Sequence, residues 1–154
     1  MNMIVHSTRF GTFECPEDCI VTFKGGILGF PQGERYVILQ HKEGSPFRWL
    51  QSVEEPALAF LVTDPANFCP DYAPEMPPSL AEELQLNENT PRMVYVILTI
   101  PPGKPEEMTA NLAGPLLINA ETRVGKQIVL QDERWSTKHR VLGEAVPSAY
   151  TPAA

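Results

Sequence analysis

FRWLQSVEEPALAFLVT, residues 47–63, decides the fold class. Phe47–Val53 and Ala57–Thr63 are two strand-length runs rich in aromatic and β-branched residues, and the turn formers between them separate the two. Similar runs lie on either side: Met3–Thr8, Ile20–Phe23, Arg35–His41, Arg92–Ile100, Met108–Leu112, Pro115–Asn119 and Lys126–Gln131. Arg92–Ile100 is apolar almost throughout, as in a strand buried on both faces. Glycines and most of the 16 prolines fall between these runs, where positive φ and chain reversal are cheap.

One helix is expected. Ser79-Leu-Ala-Glu82 has the capping-box spacing, with Leu80 and Leu84 forming a narrow apolar stripe. Strands do not alternate with long helices, which argues against a parallel α/β sheet, and an all-β antiparallel sandwich or small barrel is expected.

At 154 residues and 43% hydrophobic content the chain suits one globular domain, large enough to bury roughly two-thirds of its unfolded surface. No stretch of eighteen apolar residues occurs, and Met1–Gly11 lacks the charged-then-apolar pattern of a secretory signal. A cytoplasmic, monomeric protein that does not engage a membrane is the expectation, with Cys15, Cys19 and Cys69 as reduced thiols. Val146–Ala154 is small, proline-containing and uncharged, and residues 143–154 are expected to form a flexible tail.

The net charge is −7, which argues against direct nucleic-acid binding. Its distribution is uneven. Residues 49–91 carry Glu54, Glu55, Asp64, Asp71, Glu75, Glu82, Glu83 and Glu88 and no Lys, Arg or His, so the whole negative excess lies there. Such a segment attracts a basic partner and repels polyanions, or simply keeps the protein soluble.

No motif nominates a reaction. Cys15 and Cys19 have three residues between them, unlike a zinc knuckle or a redox pair, and His6, His41, His139 and Cys69 supply no further ligands at metal-binding spacing. No histidine lies within 27 residues of Cys69, which makes it a poor nucleophile unless a distant histidine folds against it. Gly25-Gly-Ile-Leu-Gly29 lacks the Lys-Ser/Thr of a phosphate loop. Neither a cofactor, a metal nor a catalytic residue is expected.

Three blocks together resemble the FliW family of flagellar assembly factors: FKGGILGFPQGERYVIL (23–39), FRWLQSVEEPALAFLVTDPANFCPDY (47–72) and TANLAGPLLINAETRVGKQIVLQDERW (109–135). The likeness runs in the family's order from about residue 3 to residue 142, so residues 1–142 are expected to form one domain. Cys69 stands where the family more usually has a larger apolar residue.

The resemblance implies a compact, mainly antiparallel β-barrel-like domain with one short helix and no catalytic activity. It also implies two partners: flagellin, bound in the cytoplasm, and the basic RNA-binding regulator CsrA, antagonised away from its RNA surface. A flagellin-only chaperone is the alternative, and a small hydrolase using Cys69 a more distant one. The residues expected to meet a partner are Glu54, Glu55, Asp64, Phe68, Asp71, Tyr72, Glu75 and Glu83. The opposing expectation is that Phe68 and Tyr72 pack a corner of the barrel while Asp64 bonds its own turn amides. Asn111, Asn119 and Gln127 read as residues that satisfy backbone groups.

Overall fold

The computed structural model describes residues 2–27, 29–30, 33–40 and 43–141. The expected tail, 143–154, and His41 at the end of one expected strand lie outside them. The described strands are β1 (Asn2–Ser7), β2 (Gly11–Pro16), β3 (Ile20–Phe23), β4 (Arg35–Gln40), β5 (Phe47–Ser52), β6 (Ala59–Thr63), β7 (Arg92–Thr99), β8 (Thr109–Ala110), β9 (Leu116–Asn119), β10 (Val124–Gln127) and β11 (His139–Arg140), with one short helix, α1 (Pro78–Glu83).

The expected all-β barrel is what forms. Hydrogen bonding runs β7-β6-β5-β4-β3-β10-β9 and returns from β9 to β7, closing a barrel of seven strands. Every pairing in the ring is antiparallel except β10 with β3, which is parallel.

Period-two alternation sorts each strand between two faces. Val21, Phe23, Tyr36, Leu50, Val62, Leu116 and Ile118 fill the interior, with Met93, Tyr95 and Ile97 packed against them. The outer face is covered in three places. The β1–β2 hairpin lays Val5 and Cys15 against Ile20 and Val37. The segment carrying β8 places Met108, Ala110 and Leu112 against Phe47, Val96 and Leu98. Helix α1 sets Leu80 and Leu84 against Leu117 and Ile128. The apolar run of β7 is therefore used on both faces, as its sequence suggests.

Polar ties join these layers. Ser7 Oγ donates to Gln51 Oε1 at 2.8 Å in a buried contact. Asn119 Nδ2 donates to Leu84 O at 2.7 Å, while its Oδ1 accepts from the amides of Glu121 and Thr122. One amide thus pins the end of α1 to the β9–β10 turn, and Gln127 Nε2 donates to Gly114 O at 3.0 Å.

Three expectations need correction. Ser79 does not cap the helix: Pro77 occupies the N-cap with extended backbone (φ −60°, ψ 138°), and no side chain caps the end. Pro78, whose ring presets helical φ and whose missing amide costs nothing at the first position, starts the helix two residues earlier. Gly11–Pro16 forms a strand, although its sequence carries no clear strand signal. Lys126–Gln131 is shifted, with β10 at Val124–Gln127; beyond it only isolated bonds continue, from the amides of Ile128 and Leu130 to Pro115 O and Ala113 O.

Gly125 sits between β3 and β9. A Cβ there would lie 2.8 Å from Leu117 O, 2.9 Å from Ile118 Cγ1 and 3.0 Å from Phe23 Cε1. Overpacking of this kind costs about 1–3 kcal/mol, so Gly125→Ala should lower the urea midpoint accordingly without altering the slope.

Tyr36 is fully buried in the barrel, and its hydroxyl has no hydrogen-bond partner among the described residues. Burial, with the Glu54 carboxylate adding to it, pushes its ionisation up to about 12. A folded-state value above the unfolded one means the native state keeps a proton that the unfolded chain has lost. That stabilisation is complete below pH ~10 and disappears as pH rises through 12. Tyr36→Phe should be neutral or stabilising at pH 7 and should reduce the loss of stability between pH ~10 and ~12 by about 2–3 kcal/mol. Urea melts across that range check this.

Candidate functional site

The base-free stretch does not fold into one uniform acidic face. Glu54 is built into the fold: its carboxylate accepts from the amides of Glu34 and Arg35 at 3.0 and 2.9 Å and pairs with Arg35 Nε at 2.9 Å. Glu83 pairs with Lys126 Nζ at 3.0 Å. Asp64 caps the 3-10 turn Pro65–Asn67, with Oδ1 accepting from Ala66 N at 2.9 Å. Glu55, Asp71 and Glu75 are exposed, and their carboxylates make no hydrogen bond or ion pair among the described residues. The candidate acids therefore divide into ones bonded into the fold and ones that make no such bond, and of the latter Glu75 lies near enough to Arg134 to help raise its ionisation.

The aromatics of the loop pack. Tyr72 Oη donates to Leu112 O at 2.5 Å, and its ring meets Trp135 edge-on at 4.7 Å. Burial, with Cys69 adding to it, pushes the Tyr72 hydroxyl well above its ordinary range. Phe68 lies half-buried against the cluster of Met108 and Leu112, with its ring 5.9 Å from that of His139. Both aromatics thus do the corner-packing that was the opposing expectation.

Cys69 is half-buried against the same cluster, and its amide donates to Pro65 O at 2.8 Å. The fold brings His139 to the neighbouring Phe68, but no hydrogen bond joins it to Cys69. Cys15 is buried and unpaired; burial, and after it the nearby Cys19, pushes its thiol up. Among the described residues no group of three His, Cys, Asp or Glu could hold a metal, and no helix is long and apolar enough to cross a membrane.

A second surface feature was not foreseen. Arg9, Trp49, Ala59, Leu61, Leu98 and Ile100 line a groove of about 350 Å³ on the outer face of β5 and β6. The Arg9 guanidinium lies 4.4 Å over the Trp49 ring, and Phe10 meets that ring edge-on at 5.8 Å. Phe10 and Ile100 remain 39% exposed. The signal available in the sequence was alternation: Trp49 and Leu61 occupy the outward positions of their strands, opposite each other in the register.

The barrel, its short helix and the Asp64–Tyr72 corner invite comparison with known proteins. The model of the FliW protein family matches residues 4–141. The chain belongs to the FliW family. A flagellar assembly factor FliW from Natranaerobius thermophilus is 38% identical over 142 residues, covering 92% of this chain and 94% of that one. One from Magnetococcus marinus is 41% identical over 130 residues, covering 84% and 80%. The crystal structure of a flagellar assembly factor FliW superposes with a TM-score of 0.83 at 36% identity, covering 94% of this chain and all of that one. These FliW relatives are named as assembly factors, and no catalytic function is indicated for the family.

The packing role of Tyr72 is directly testable. Tyr72→Phe removes one hydrogen bond and leaves Leu112 O unsatisfied, at a cost of about 1–2 kcal/mol, whereas Asp71→Asn should change stability by less than about 0.5 kcal/mol. Equilibrium unfolding in urea separates the two.

Proposed function

We propose that this FliW-family protein works in the cytoplasm as a monomer that binds flagellin and antagonises CsrA through a surface remote from the regulator's RNA site, so that flagellin level governs flagellin translation. The observation that carries this reading is the set of unpaired carboxylates, Glu55, Asp71 and Glu75, on a 43-residue stretch without a single base. A basic regulator is drawn to such carboxylates, and RNA phosphates near them are repelled. Each charge is worth about 1 kcal/mol at 4 Å in water and less at physiological salt, so several must act together. Glu54, Glu83 and Asp64 support the reading less, because their oxygens are already engaged in the fold. Phe68 and Tyr72 contribute by holding the loop in shape.

The flagellin-only alternative draws on the apolar groove beside Trp49, which would suit a partner recognised without acids. An RNA gel shift decides between them. Added to a CsrA–RNA complex, the protein should release the RNA, and the triple charge reversal Glu55→Lys, Asp71→Lys, Glu75→Lys should weaken that release at least tenfold while flagellin capture persists. If CsrA stays on its RNA at saturating protein while flagellin is retained, the chaperone reading replaces this one.

A further inference from the structure

One open end of the barrel is basic, although the chain as a whole is acidic. In the β5–β6 register Arg48 lies opposite Val62 and Leu50 opposite Phe60, so Arg48 continues the inward-facing row. Val62 lies opposite Ile97 on β7, which sets Tyr95 and Met93 on the same inner face. The apolar core ends at this level, and Arg48, Asp64, Asn67, Arg92, Met93 and Tyr95 surround a hollow of about 310 Å³.

Both guanidiniums are held by backbone carbonyls. Arg48 Nη1 donates to Ser45 O at 2.8 Å and to Phe47 O at 3.0 Å. Arg92 Nε donates to Thr90 O at 3.3 Å, and its Nη2 donates to Asn87 O. Among the described residues neither has a carboxylate within ion-pair distance. Each guanidinium carries five N–H donors, so Nε and Nη2 of Arg48 and Nη1 of Arg92 keep donors to spare. Tyr95 Oη reaches only the Met93 thioether, at 3.8 Å, a weak acceptor. The one acid lining the hollow, Asp64, already commits an oxygen to its own turn. Arg48 and Tyr95 thus reach the hollow from the inner face, and Arg92, on the outward side of β7 with Val94, lines its rim; a barrel mouth is a usual place for a ligand.

We propose that this mouth binds a carboxylate group, with Arg48 and Arg92 donating to its oxygens and Tyr95 Oη serving as a further donor. The guanidinium fork matches the two-oxygen geometry of a carboxylate. Asp64 beside the arginines disfavours a phosphate dianion. A hollow at the small end of ligand pockets takes a group of a few heavy atoms, not a nucleotide. Either a small free dicarboxylic acid or the acidic side chain of a protein segment presents that chemistry. This inference stands independently of the CsrA reading.

Titration of the ¹⁵N-labelled protein with sodium glutarate and with a blocked glutamate (N-acetyl, N-methylamide), at constant ionic strength, tests it. Saturable shifts of the Arg48 and Arg92 side-chain Nε–H signals are expected with at least one of them. Blocked glutamate binding more tightly assigns a protein side chain; glutarate binding more tightly assigns a free acid. Arg48→Gln and, independently, the exposed Arg92→Gln should each weaken binding about tenfold or more, and Asp64→Asn should strengthen it. Arg134→Gln, remote in the sequence and paired with Asp132, should leave it unchanged. The proposal is overturned if shifts with both compounds fail to saturate, if folded Arg92→Gln binds as the parent does, or if inorganic phosphate binds more tightly than either carboxylate.

Discussion

The pairing of β10 with β3 is the constraint on which the rest depends. It is the sole parallel contact in the ring, and it joins Thr22 and Phe23 to Val124 and Gly125, segments about a hundred residues apart. Without it β3 and β10 would each present an open edge, and the inward side chains of both would face water. The close approach works because position 125 carries no side chain, leaving its space to Phe23 and Ile118. The antiparallel pairs β3–β4, β4–β5, β5–β6 and β9–β10 follow from short connections. This one follows from burial alone, because only a closed ring encloses Tyr36, Leu50 and Leu116 completely.

Closure also explains why the outer surface is so thoroughly clothed. A seven-stranded ring of β-rich sequence has an outside that is as apolar as its inside at many positions. Val37, Val96 and Leu117 point outward, and each is covered by a separate piece of chain: the hairpin, the β8 segment and α1. At Trp49 and Leu61 the cover is partial: Arg9 and Phe10 lie against Trp49, and the groove remains beside them. The loop 64–72 serves the same purpose at one corner, and this is why its aromatics are packed and its acids are left outside.

Strand existence was legible in the sequence, because alternation and composition are local properties. The dual burial of β7 could be read from its unbroken apolar run. Local properties fail where partners are distant. Ser79 has the spacing of a cap, yet the adjacent Pro77-Pro78 sets the backbone first. Phe13 and Cys15 alternate with Glu14 and Pro16 over too short a span to announce β2. A count of charge along the chain cannot see that Glu54 meets Arg35 across 19 residues, or Glu83 meets Lys126 across 43. The same blindness hid the basic mouth, since Arg48 and Arg92 bracket the acidic stretch in sequence and converge only in the fold.

The N-terminal hairpin has a mechanical consequence. β1 and β2 pair only with each other, as a two-stranded sheet apart from the barrel. Side-chain packing, the Ser7–Gln51 bond and the bond from Thr8 N to Pro56 O hold the pair down. Its turn carries Arg9 and Phe10, which form one wall beside Trp49. No rung of the ring runs through the hairpin, so one wall of the groove is held by side-chain packing and a few polar bonds, whereas its floor is held by the ladder of the barrel.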